Sequence, residues 1–241
     1  MHPSVTQSLR EEASQLAKQG DIAGAVAQFE EALTLDPKLG IEPEAEAKRI
    51  YAQALVEQGR VLAEQGAISG AVAKFEEALT LDPKLGIEPE AEAKRIYASA
   101  LVEQGRVLAE QGAISDAVAK FEEALALDPS LDTDPEVAEA WNAFCWFGAT
   151  WNQAALVLDA CETAVKLAPE DGGIRDSRGL ARALTGNVQG AIEDFEFVLE
   201  WAKTEGLGEE FIQLRTQWVE ALAAGQDPKV IFDAATLEGL R

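Results

Sequence analysis

Histidine is all but missing from this chain of 241 residues: the single one is His2. Histidine triads, imidazole general bases and histidine-ligated metals are therefore excluded unless a second chain supplies the ring. Cysteine is nearly as scarce. Cys145 and Cys161 are too few for a disulfide framework, and sixteen residues apart is no metal-finger spacing. No glycine-rich phosphate loop of the Walker or dinucleotide kind occurs, and no apolar run reaches the ~18 residues of a membrane span. The start, Met1 to Arg10, has no apolar stretch followed by a small-residue cleavage site. These absences point to a cytoplasmic, reduced chain that needs no cofactor and is not an enzyme.

Basic residues are also short, 20 against 43 acidic ones, for a formal charge of −23. Phosphate backbones and anionic lipid surfaces bind through clustered Lys and Arg, so neither nucleic acid nor a membrane is expected as a partner. A neutral or basic protein segment is. Aromatics make up only 7%, unevenly placed, with Trp141, Trp146, Trp151 and Trp201 in one stretch and Trp218 beyond it.

What the chain does have is repetition. Residues 16–61 and 62–107 align without a gap and are identical at 41 of 46 positions. A third copy starts at Leu108, stays recognisable to Pro129 and then diverges. Each copy carries two helical patterns. The shorter places Ile68, Ala71, Val72, Phe75, Ala78 and Leu79 at three- and four-residue steps, with Lys74, Glu76 and Glu77 opposite. Pro83 stops it. The longer starts at Pro43, with Glu44 and Glu46 where the helix dipole favours negative charge, and runs to about Gly66. Neither helix can bury its apolar stripe alone, whereas stacked copies can.

The spacing Gly59, Ala71-x3-Phe75, Pro83 recurs as Gly105, Ala117-x3-Phe121, Pro129 and, earlier, as Ala13, Ala25-x3-Phe29, Pro37. A looser form is Trp141-x2-Phe144-Cys145, Val157-x3-Cys161, Pro169, and a fifth is Gly179, Ala191-x3-Phe195 without the proline. In these residues the chain resembles the tetratricopeptide repeat family, bacterial type, with the first repeats extended to 46 residues. Armadillo and HEAT repeats share that period, but the Ala-x3-Phe and proline pattern speaks against them.

The resemblance implies an all-α fold, a right-handed α-solenoid of antiparallel helix pairs. It places five repeats within residues 4–202, at about 6–37, 43–83, 89–129, 135–169 and 172–202. Residues 207–241 form a capping helix, Glu209 to Ala224, and a short tail that folds back from Asp227. It implies a protein–protein interaction scaffold that takes a peptide or partner helix in a concave groove. The groove positions would be Val56, Arg60, Val102, Arg106, Asn142, Trp146 and Thr150. Val56, Val102 and Trp146 would anchor the partner, and Arg60 and Arg106 would orient it. For Trp146, burial in a core or cap stands open beside ligand contact. A Lys/Asn clamp for chaperone carboxyl termini is not found, since Arg10 and Ser14 stand where a basic residue and an Asn are wanted.

Cys145 and Cys161 fall where the family places a small residue and an aromatic, on facing helices. They read as two small apolar core residues, and a redox-linked pair stiffening the fourth repeat is the alternative. Arg175, Arg178 and Arg182 share one helix face. They read as partners of Asp159, Glu162, Glu193 and Asp194, or as an anionic clasp for an acidic side chain or carboxyl terminus. Other readings of the whole chain are a structural spacer or self-association module, and a regulatory segment of a larger protein.

Overall fold

The computed structural model describes residues 3–241, with side chains from Val5 onward, so His2 lies outside the described residues. Among them every regular element is helical: α1 (Pro3–Lys18), α2 (Ile22–Leu35), α3 (Pro43–Glu64), α4 (Ile68–Leu81), α5 (Pro89–Glu110), α6 (Ile114–Leu127), α7 (Ala138–Thr150), α8 (Ala154–Leu167), α9 (Gly172–Leu184), α10 (Val188–Glu205), α11 (Glu209–Ala223), α12 (Pro228–Ile231) and α13 (Ala234–Leu240). The fold is an all-α solenoid built from helix pairs. The chain divides into two compact units within α5, one ending at Tyr97 and the other starting at Ala98.

In the first unit the apolar spacing of α4 buries Ala71, Phe75 and Ala78 against α3 and leaves the glutamates outside. Removing a phenylalanine side chain like Phe75 from water contributes roughly 1.5–3 kcal/mol. The helix ends through three local devices. The Asp82 N–H still bonds the Ala78 carbonyl at 2.9 Å, and the Asp82 carboxylate accepts from the Lys84 N–H at 3.1 Å. Pro83 has no N–H to continue the ladder, and Gly86 turns left-handed at φ 64°. Asp36, Pro37 and Gly40 do the same after α2.

The contact that fixes each pair joins residues sixteen apart. A Cβ on Gly59 would lie 2.5 Å from the Phe75 ring, and one on Gly105 would lie 2.7 Å from Phe121. In the second unit Gly179 faces Phe195 in the same way, at 2.9 Å. At the matching place between α7 and α8 stand Cys145 and Cys161, and they are joined by a disulfide with Cα atoms 4.9 Å apart. This corrects the reading of two free core cysteines and matches the alternative of a linked pair within the fourth repeat. Both sulfurs are buried as that reading required. The separation that elsewhere admits a ring against a bare backbone here brings two cysteine sulfurs within bonding distance.

The second unit also holds the aromatic core. Phe121 stacks on Phe144 with ring centres 4.4 Å apart and meets Trp141 at 5.0 Å, while the Trp141 indole N–H reaches the Leu131 carbonyl at 3.1 Å. Helix α11 packs on α10 and buries Trp218 and Leu222. The tail beyond Asp227 forms two short helices, α12 and α13, whose contacts are to α9, α11 and α7. No described helix is long and apolar enough to cross a membrane.

Candidate functional site

Val56 and Arg60 stand on α3 in the first unit, Val56 half-buried and Arg60 exposed. Val102 and Arg106 repeat them on α5 in the second unit, both half-exposed. Arg106 is held by its own helix. Its guanidinium donates to Glu103 at 2.9 and 2.7 Å and comes within 3.6 Å of Glu110. The Glu103 hydrogen bond raises the Arg106 pKa above its usual value and lowers that of Glu103. The cation is therefore oriented across the helix surface, one turn from Val102.

On α7 the spacing of four brings Asn142 and Trp146 to one helix face, both half-buried. The side-chain oxygen of Asn142 is buried and accepts no hydrogen bond from the described residues. Thr150, one turn on, is 1% exposed, and its hydroxyl donates back to the Trp146 carbonyl at 3.0 Å. It offers almost no surface, since α7 packs on α8, α9 and α13. The terminal Arg241 donates to the Thr150 carbonyl at 3.2 Å and lies over the Trp151 ring at 3.9 Å.

Arg178 and Arg182 converge on two carboxylates. Arg178 bonds Asp194 at 2.9 and 2.6 Å and Glu162 at 2.8 Å. Arg182 bonds Glu162 at 3.0 and 2.7 Å and Asp194 at 3.0 Å. Burial works against the charge of Arg178, but the two carboxylates outweigh it and hold its pKa above the usual value. Arg175 turns aside: it donates to the Pro169 carbonyl at 2.8 Å and covers the Phe197 ring at 4.0 Å. Its approach to Asp194 is 3.8 Å. So α8 and α10 supply the partners through Glu162 and Asp194.

A second buried pair had no signal in the sequence. Arg215 of α11 donates to Asp176 of α9 at 3.1 and 2.5 Å, both residues nearly sealed. Burial pushes the Asp176 carboxyl above the ordinary range, against the pull of Arg215. The Arg215 guanidinium also lies 3.9 Å from the Phe211 ring and 4.6 Å from Trp218. In the first unit, an open cleft of about 810 Å³ runs along α1, lined by Thr6, Arg10, Ser14 and Lys18 and closed by Asp36 and Glu46.

Residues 10–86 and 61–132, together just over half of the chain, match the tetratricopeptide repeat model. No curated protein matches. Among solved structures, the chain is similar to the P58(IPK) TPR domain, at 17% identity over 91% of this chain and a TM-score of 0.42. It spans 55% of that structure's length. It is similar also to PilW, described as a widely conserved type IV pilus biogenesis factor, at 16% identity over 97% of this chain and 93% of the other, TM-score 0.43. A third is the TPR2AB domain of yeast Sti1 in complex with pHSP90, at 13% identity over 92% and 100%, TM-score 0.39.

Proposed function

Because the chain belongs to the tetratricopeptide repeat family, we propose that it is a protein-interaction scaffold that takes a peptide or partner helix against the Asn142 and Trp146 face of α7. The observation that carries this reading is the polar Asn142 side chain, half-buried one turn from the half-buried Trp146 on the same face of α7. Trp146 beside it brings a large, stiff contact surface of the kind that dominates binding energy. Val102 and Arg106 extend the second unit's surface with one apolar and one oriented cationic group. Val56 and Arg60 repeat that pair in the first unit, so the duplicated copies offer the same chemistry twice.

The occupant is a neutral or basic segment, since a chain of charge −23 repels acidic ones at long range. The compartment follows the disulfide. A bonded Cys145–Cys161 pair persists where thiols are not kept reduced, which supports an oxidising compartment as an alternative to the expected cytoplasm.

The test is capture of a partner from native lysate by the chain and by a variant carrying Arg60→Glu, Arg106→Glu and Trp146→Ala. A saturable partner held by the first and lost by the second, with equal helicity in both, supports the reading. A partner retained by both places binding on another face, and no saturable partner sinks it.

A further inference from the structure

The turns that follow α7 and α9 have lost their charge. Residues 150–158 and 183–192 contain no Asp, Glu, Lys or Arg, in a chain whose net charge is −23. The register of the repeats locates the change. Five positions before Phe29, Phe75, Phe121 and Phe195 stand Gly24, Gly70, Asp116 and Gly190, and five before Cys161 stands Leu156. Five positions after Ala13, Gly59 and Gly105 stand Lys18, Glu64 and Glu110, and five after Gly179 stands Leu184. Glycine or a charge has given way to leucine at both places.

Packing does not call for Leu156. It lies in the first turn of α8 and is 51% exposed, while Val157 beside it is sealed in the core. Trp151, by contrast, has a packing role: it covers Gly112 and donates to the Glu110 carbonyl at 3.3 Å. Leu156 and Leu184, with Asn152, Ala155 and Thr185, line a shallow hollow of about 270 Å³. The polar groups here suit a copy of themselves. The Asn152 amide both donates and accepts, and the Thr185 hydroxyl, which donates to the Ala181 carbonyl at 2.8 Å, still accepts. Across a two-fold axis such groups meet as donor and acceptor, which two carboxylates cannot do. The charges bordering these stretches are Asp159 and Glu193, which face solvent, and Arg182, which is tied to Glu162 and Asp194. Arg241 lies on the Trp151 ring.

We propose that this uncharged face pairs with the same face of a second copy, Leu156 of each entering the hollow of the other. An isologous contact needs only one self-complementary patch and closes at two copies. Charge decides the occupant. Where carboxylates face solvent, a second copy of charge −23 is repelled, whereas here two copies meet without burying or opposing a carboxylate. A basic segment, the occupant expected at Asn142 and Trp146, finds no acid in the hollow to bind. The face is small beside the roughly 20–30 residues a side of a standard interface, so the pair forms and separates readily. It rests on other residues than partner capture at Asn142 and Trp146, and either can fail without the other.

The experiment is sedimentation velocity of the full chain from micromolar to millimolar concentration, at low and high salt. Dimer is expected to accumulate with concentration, and more so at high salt, which screens the −23 charge of each copy. Leu156→Glu and, separately, Ala155→Glu place a carboxylate in the first turn of α8, where the helix dipole favours it, so native helicity is retained. Each is expected to weaken pairing at least tenfold. Val61→Glu, which adds the same charge in the first unit, is expected to leave pairing unchanged. Should Leu156→Glu not fold, Ala155→Glu decides. A chain that stays monomeric at millimolar concentration overturns the proposal, as does pairing that salt weakens. Pairing that survives both α8 variants, or that Val61→Glu weakens equally, overturns it too. A monomeric chain that loses a captured partner on Leu156→Glu overturns it in favour of a different protein at this face.

Discussion

Reducing the Cys145–Cys161 bond should weaken the second unit by an amount that loop closure sets. The bond joins residues sixteen apart, and a loop of that size removes about 3 kcal/mol of chain entropy from the unfolded state. The equivalent sites are filled by the Phe75, Phe121 and Phe195 rings, which the two cysteines replace with their bond. Urea unfolding followed by tryptophan emission reads this directly, because Trp141, Trp146 and Trp151 all lie on or at the end of α7. With a dependence of about 2 kcal/mol per molar urea, the midpoint falls by about 1.5 M on reduction. The replacement Cys145→Gly, Cys161→Phe rebuilds the pairing used in the other copies. It should recover roughly 2 kcal/mol through ring burial and lose all sensitivity to reductant. Two outcomes refute the reasoning. One is a pair of reactive thiols in the unreduced, urea-unfolded chain. The other is an unchanged midpoint after complete reduction, which would mean that the α7–α8 pair does not depend on the covalent link.

Asp194→Ala removes the carboxylate that Arg178 and Arg182 share and leaves their charges under cover, for an expected loss of about 3–5 kcal/mol in urea unfolding. Gly105→Ala puts a methyl where the Phe121 ring lies 2.7 Å away, and overpacking of that kind should cost about 1–3 kcal/mol in the same assay. Asn152 holds φ at 58° in the α7–α8 turn, where the turns after α1, α3, α5 and α9 have left-handed glycines. Asn152→Gly relieves that conformation and should raise stability by up to about 1 kcal/mol. The pH profile has two limbs. Glu77, Glu90 and Glu103 have carboxyl pKa values lowered chiefly by hydrogen bonds from Lys74, Lys94 and Arg106. Their contribution is present above the ordinary carboxylate range and lost as pH falls through the lowered values. Asp176, raised by burial, acts oppositely, since what it contributes is complete in acid and lost as pH rises through its raised value. For the three glutamates this predicts a thermal midpoint that falls as pH drops below about 4. A midpoint unchanged from pH 7 to 2 would contradict it.

The helices were legible because their cause is local. The apolar steps from Ile68 to Leu79, the Asp82–Pro83 stop and Pro43 at a helix start each act within a few residues, and the structure has α4 and α3 where they place them. The side-chain outcomes that differ are long-range. Thr150 has the same spacing from Trp146 as Trp146 has from Asn142, and it is buried where α8, α9 and, from 84 or more residues along the chain, α13 pack on α7. Arg215 reads as a charge on a capping helix, and nothing near it announces Asp176, 39 residues away. The disulfide is a different case. A small residue stands sixteen before each of Phe29, Phe75, Phe121 and Phe195, and Cys145 and Cys161 keep that register. The signal for a close approach was in the repeat itself, but counting cysteines in the whole chain says nothing about how near two of them lie.

The two kinds of copy specify their packing differently. Where a unit meets near-identical neighbours, as in residues 16–107, generic devices suffice: Ala and Phe against Gly, and surface pairs such as Lys48–Glu44 and Lys94–Glu90 that stay within one helix. Such exposed pairs are worth little and name no particular partner helix. From α7 onward the pattern decays, and pairs between helices replace it: Cys145 with Cys161, Arg178 and Arg182 with Asp194, Arg215 with Asp176. Buried ion pairs gain little stability over an apolar contact, but a wrong register strands a charge at a cost of several kcal/mol. A repeat array stacks in the same way at every step and needs something to end it. Side chains that fit one neighbour alone supply that end, which is why the sequence loses its periodicity where the structure gains its most specific contacts.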